Sequence, residues 1–210
     1  MRSAVSCALA GFLEACTFAP QHYSLPEVRA NRIDPGALAR DGLAFLTPST
    51  VTGQEEDRQT LALLFTSRLA EARRDLRLVP LPEVLSLLNA DGLTGDYQGL
   101  YERYRLTGVF DRETLHRISH VTATRFLAQL KLAHFEQGSK SRLGILGLSI
   151  LQTQYAHMRL FLQIWDAHAG AVAWEGIDEL TVSVETSRER AVTLRAIAEH
   201  AARDFATRLP

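Results

Sequence analysis

The sequence predicts an α+β sandwich: a mixed, mainly antiparallel sheet with helices packed on it. Two patterns and their order carry that expectation. From His157 the chain alternates at period two, with Met158, Leu160, Leu162 and Ile164 on one face and Arg159, Phe161, Gln163 and Trp165 on the other. Asp166-Ala-His-Ala-Gly170 then has turn chemistry, and Ala171 to Glu175 runs back, so the stretch from His157 to Val184 reads as strand, tight turn, strand. Elsewhere, apolar residues recur at three- and four-residue steps, the helical period. No linker or internal repeat divides residues 41–210, so these elements are expected in one domain.

Composition bounds the function. A chain of 210 residues with 46% hydrophobic and 22% charged residues can bury a real core. A formal net charge of −1 supplies no basic field, so nucleic acid is not an implied partner. Both cysteines, Cys7 and Cys16, precede the body, which leaves no internal disulfide or cysteine metal site there.

The N-terminus reads as an address. Met1-Arg2 is a minimal positive region, and Ala4 to Leu13 is an apolar run too short to span a bilayer. Leu13-Glu14-Ala15-Cys16 resembles a bacterial lipoprotein signal, with an aliphatic residue three before the cysteine and a small residue just before it. On this reading residues 1–16 are a signal peptide up to a lipidated Cys16. Glu14 departs from the small or uncharged residue usual at its position. A plain secretory signal cleaved nearby, or an amphipathic N-terminal helix of a cytosolic protein, are the alternatives. Residues 17–40, with Pro20, Pro26, Pro35 and Gly36, read as a tether. An Asp after the lipidated cysteine would, by analogy, suggest inner-membrane retention; Thr17 favours the outer membrane.

The body opens with a short strand at Gly42 to Thr50, ended by Pro48. A helix follows from Gln54 to Arg74, with Leu61, Leu64, Phe65, Leu69 and Ala72 as its buried stripe. Glu55, Glu56 and Asp57 at its start and Arg73 and Arg74 at its end complement the helix dipole. Leu76 to Leu81 is a strand, and Pro82 begins a helix through Leu88. Tyr97, Tyr101 and Tyr104 share one face of a helix over Gly95 to Arg105, a packing stripe rather than a ligand platform. Asp111 caps a helix through Val121, on which His116 and His120 stand four apart. That spacing can place two imidazoles on one metal, but no third ligand accompanies them and no metal is expected.

Thr124 to Phe135 alternates as a long strand beside the hairpin. Between them Glu136 to Tyr155 begins polar and becomes the uncharged run Leu143 to Leu151. Leu143, Ile145, Leu146, Leu148, Ile150 and Leu151 form either a core-facing hairpin arm or an exposed apolar contact surface. The last helix is expected over Ser187 to Arg208, with Val192, Leu194, Ile197, Ala198, Ala201 and Phe205 inward.

The element order and several phrases resemble the periplasmic domain shared by curli-secretion-pore (CsgG-like) lipoproteins, lipoprotein activators of penicillin-binding proteins and PelC-type exopolysaccharide lipoproteins, a CsgG/TolB-N-terminal-like sandwich. The phrases are Leu43 to Leu46 with Pro48, the helix Glu55 to Arg73, Leu78-Val79-Pro80, Leu106-Thr107-Gly108, and Leu162 to Trp174, whose Asp166, Ala167, Gly170 and Trp174 look like that group's hairpin signature. The resemblance implies binding and assembly, with no catalytic residue to carry over. The 136–155 insertion sits where pore-forming relatives carry a membrane hairpin, but spanning strands need about 9–11 residues each.

Three function classes follow. The first is a non-enzymatic outer-membrane lipoprotein on the periplasmic side, an accessory or assembly factor of a cell-envelope or secretion system, needing no cofactor. Its partners would be the membrane, through the lipid anchor, and an envelope protein. The second is a ring-forming homo-oligomer of a secretion or polysaccharide-export channel, using Leu143 to Leu151. The third, an enzyme, finds no GxSxG, P-loop, GxGxxG or HExxH motif. Asp166 and His168 are explained as turn residues.

Overall fold

The computed structural model describes residues 21–145, 148–186 and 191–210. In chain order its elements are β1 (Gln21–Asn31), α1 (Ala37–Asp41), β2 (Leu43–Phe45), β3 (Ser49–Thr50), α2 (Glu55–Ala72), β4 (Leu78–Val79), α3 (Leu81–Ala90), α4 (Thr94–Thr107), α5 (Arg112–Thr122), β5 (Phe126–Ile145), β6 (Leu148–Asp166), β7 (Ala171–Thr186) and α6 (Leu194–Ala206). One mixed sheet runs β1-β7-β6-β5-β2-β4, with β3 also on β5. The long strands are antiparallel, whereas β2 and β3 join β5, and β4 joins β2, in parallel. This is the expected α+β sandwich.

Helices cover both faces. On one, α2 and α6 pack Leu61, Phe65, Ile197 and Phe205 against Leu130, Met158, Leu160, Leu162 and Leu180 of the sheet. On the other, α3, α4 and α5 pack Val84, Leu100, Leu115 and Ile118 against Ala44, Leu127 and Trp165. The ladder shifts register between Ile164 and Trp165. The two tryptophans that flank the turn enter different cores, Trp174 against Phe205 and Trp165 against Phe110.

Caps read from sequence are made. Asp111 Oδ2 accepts from Thr114 N at 3.0 Å, and Glu55, Glu56 and Asp57 occupy the first turn of α2. Arg73 does more than face a dipole. It clasps Asp75 at 2.9 Å and donates to the carbonyl of Leu209 at 2.8 Å, fastening the C-terminus.

Several expectations are corrected. Within the expected tether 17–40, residues 21–31 form strand β1, paired along β7, and 37–41 form a helix. β1 is an edge strand, where Pro26 costs no ladder bond on its free side. Its apolar Tyr23 and Leu25 face outward, 63% and 54% exposed, so the usual inward alternation is absent. The strand expected over 42–50 splits around Pro48 into β2 and β3, and that expected over 76–81 shrinks to Leu78–Val79. Pro80 and Pro82 lack the N–H groups that would lengthen it. Glu136 to Tyr155 continues the ladder of β5 and β6 as a hairpin arm, apart from residues 146–147, which lie outside the described residues. The last helix starts at Leu194, where Thr193 caps it by accepting from Ala196 N at 3.3 Å; residues 187–190 of the expected span lie outside the described residues.

A buried carboxylate ties β1, β7 and α6 together. Ser24 Oγ lies 2.9 Å from Asp178 Oδ1 and 2.8 Å from Asp204 Oδ2. One hydroxyl has one proton, so it can donate to only one of them. Asp178 is fully buried, and its Oδ2 has no partner among the described residues. Burial, joined by the charge of Asp204, raises its pKa above the ordinary carboxylate value, outweighing Ser24 and Arg208. A protonated Asp178 donates to Ser24, which donates to Asp204. A raised folded pKa means stability that is full below the unfolded pKa and is lost as pH rises through the folded one. Asp178→Asn keeps a neutral donor and is expected to gain about 1 kcal/mol at pH 8 and less at pH 4. Urea titrations at both pH values check this; a loss at pH 8 contradicts it.

Candidate functional site

The long hairpin outruns its support. β5 and β6 pair from Phe126 with Asp166 to Ile145 with Leu148. β7 pairs with β6 only as far as Gln152, β1 pairs with β7 only as far as Ser183, and β3 pairs with β5 no further than Leu132. Past Gln152 the two strands pair only with each other among the described residues. The backbone of Leu143, Ile145, Leu148, Ile150 and Leu151 lies in this end of the ribbon. Leu146 and Cys16 lie outside the described residues. A two-stranded ribbon is marginal in water by itself, so an apolar end of this kind is suited to contact with something else.

Cross-strand ladders define the sheet face around the base of the ribbon. Arg159 pairs with Glu179 at 2.9 Å, and His157 meets Thr181 at 3.0 Å. Tyr23 is opposite Thr181 and Leu25 opposite Glu179 in the register, so their exposed side chains share this face.

Two clefts flank the helical end. One, of about 590 Å³, lies between the β2–β3 loop, β3 and α4, with Arg58, Glu102, Arg105 and Lys131 among its lining residues. Tyr101 and Tyr104 of the tyrosine stripe line it. Tyr97 OH accepts from Thr47 N at 2.8 Å, Tyr101 OH donates to the Thr47 carbonyl at 2.7 Å, and Tyr104 stacks on Phe110 with centroids 4.3 Å apart. Burial raises the pKa of Tyr101 well above the ordinary phenol value, so it stays a neutral donor. The stripe serves packing, as its spacing predicts.

The other cleft, of about 520 Å³, gathers His116, His120 and His168 with Arg40, Arg77 and Arg125. The turn thus brings a third histidine beside the pair on α5; the rings of His116 and His168 are 5.8 Å apart. Among the described residues no group of three or more His, Cys, Asp or Glu is placed to hold a metal. The arginines have structural work. Arg77 caps α5 by donating to the Ala123 carbonyl, and Arg125 grips Asp166 at 2.6 Å. Asp166 Oδ1 accepts from His168 N and Ala169 N at 3.0 and 3.2 Å, and Gly170 closes the turn at φ 67°. Asp166 and His168 are therefore turn residues, as read.

Sequence reasoning did not single out the cationic cleft. Arg58, Arg105 and Lys131 lie on three elements far apart in the chain, and no local spacing links them. None of the described helices is long and apolar enough to cross a membrane.

No protein-family model matches the chain, and no curated protein sequence matches it. Among solved structures it is similar to the PelC dodecamer from Paraburkholderia phytofirmans, with TM-score 0.45 and 10% identity over 89% of this chain and 94% of that one. It is also similar to lipoprotein GNA1162 from Neisseria meningitidis, with TM-score 0.43 and 9% identity over 80% of this chain and 93% of that one.

Proposed function

We propose that this chain is a non-enzymatic lipoprotein, anchored to the outer membrane through Cys16, that acts in the periplasm as an accessory or assembly factor of a cell-envelope or secretion system. The observation that carries the reading is the β5–β6 ribbon, which extends past every flanking strand among the described residues and ends in an uncharged apolar run. Such an element suits docking rather than chemistry. The Leu13 to Cys16 pattern supports the anchor. Three acyl chains at Cys16 would hold far more firmly than one, at roughly 0.8 kcal/mol per buried CH₂.

A second reading is a ring-forming component of an export channel. The outward row of Tyr23 and Leu25 on an edge strand favours it, because an edge with apolar side chains is a template for another copy. Labelling cells with radioactive palmitate tests the anchor. The wild type is expected to take label and Cys16→Ala to take none; equal labelling of both removes the lipoprotein reading. The native mass of the same purified protein separates the two roles, since a single-chain mass sinks the ring.

A further inference from the structure

We propose that the cleft between β3 and α4 is a binding site for an anionic ligand, a phosphate or carboxylate carried on an apolar body. Arg58 reaches it from α2, Arg105 from α4 and Lys131 from β5. Like charges that converge need a counter-charge, and the fold supplies little. Among the lining residues Glu102 is the one carboxylate, held by Gln98 at 3.0 Å, and it offsets one of the three positive charges. Glu55 touches Arg58 at 3.4 Å through Nη1 alone, and Lys131 rests over the Phe161 ring at 6.0 Å.

The unmade hydrogen bonds point the same way. Ser49 Oγ and Arg58 Nε are buried and have no partner among the described residues. Each can donate, and an anion's oxygens only accept, so the unused groups match an anion. Ser49 is opposite Lys131 in the β3–β5 register, which sets hydroxyl and ammonium on the same side of the sheet. The Tyr101 and Tyr104 hydroxyls are spent on Thr47 and Gln163, at 2.7 and 3.2 Å. What they leave to the cleft is ring surface, which suits a carbon body more than a bare ion.

Two sources share this chemistry, an anionic lipid headgroup and a soluble acid. Calorimetric titration of the full chain in nonionic detergent tests that chemistry, with dihexanoyl phosphatidylglycerol, inorganic phosphate and zwitterionic dihexanoyl phosphatidylcholine as probes. Phosphatidylglycerol is expected to bind and phosphate to compete. Arg105→Glu and Lys131→Glu should each weaken binding on the order of tenfold, and Ser49→Ala less. Arg195→Glu, a change to an exposed side chain on α6, should leave it unchanged. Tighter binding of the lipid than of inorganic phosphate supports an anion on an apolar body, and equal binding overturns that assignment. The proposal is overturned if neither anion binds, if binding survives Arg105→Glu and Lys131→Glu, or if phosphatidylcholine binds as well. Palmitate labelling at Cys16 and anion binding here can fail separately.

Discussion

Replacing Trp174 by Ala is expected to cost about 3–5 kcal/mol, a large share of the roughly 5–15 kcal/mol that holds a typical domain folded. Trp174 is fully buried on β7 and meets Phe205 of α6 edge-on, with centroids 6.0 Å apart. Its ring lies over Gly176, two residues along the same face. A Cβ on Gly176 would fall 2.5 Å from Trp174 Cη2 and 2.9 Å from Phe205 Cε1. The missing Cβ at Gly176 leaves room for the indole, so truncating the ring opens a cavity there. Trp174 Nε1 makes no hydrogen bond among the described residues. Trp174→Phe therefore gives up packing but no polar contact, and should cost markedly less. Urea midpoints of the three proteins check this; an alanine variant within about 1 kcal/mol of wild type would show that the sheet and α6 are held by something else.

The second large effect is at Asp166. Asp166→Ala removes the Arg125 contacts at 2.6 and 3.2 Å and the acceptor for two turn N–H groups. The Asp166 side chain is 10% exposed, but that of Arg125 is 37% exposed, so solvent screens part of the pair. A loss of about 2–4 kcal/mol is expected. Asp166→Asn keeps an acceptor for the turn and should lose roughly half as much. Burial by itself would raise the Asp166 pKa, but Arg125 and the N–H groups of Ala169 and His168 outweigh it and hold the carboxyl below its ordinary value. A lowered folded pKa adds stability that is present above the unfolded carboxylate pKa, near 3.9, and is lost as pH falls through the folded one. Acid titration of the wild type should show that loss, and Asp166→Ala should lack it. An unchanged acid limb would sink the assignment.

The parts legible in the sequence were those whose cause is local. Asp166 and Gly170 announced a turn, because an Asx acceptor and a positive φ are demands on neighbouring atoms. Asp111 announced a helix start for the same reason, and Leu61, Leu64, Phe65 and Leu69 showed their face by spacing alone. Strand β1 was hidden because Tyr23 and Leu25 point away from the core and Pro26 mimics a linker. Lys131 read as an ordinary outward residue of an alternating strand, and nothing in its neighbourhood announced Arg58 or Arg105. Asp178 sat among alternating residues with no hint that Ser24 would bridge it to Asp204, since the two Ser24 contacts span 154 and 180 residues of chain.

Strand β1 also sets a leash. Five residue steps separate Cys16 from Gln21, the first residue of the sheet. Fully extended, that length of backbone reaches at most ~18 Å, against about 85 Å had the chain stayed unstructured to residue 40. With a lipid on Cys16, the sheet edge bearing Tyr23 and Leu25 rides close to the headgroups, a depth that suits aromatic side chains. On the proposed reading, a body held so near would not search across the periplasm, and whatever it assembles would have to be brought to the membrane surface.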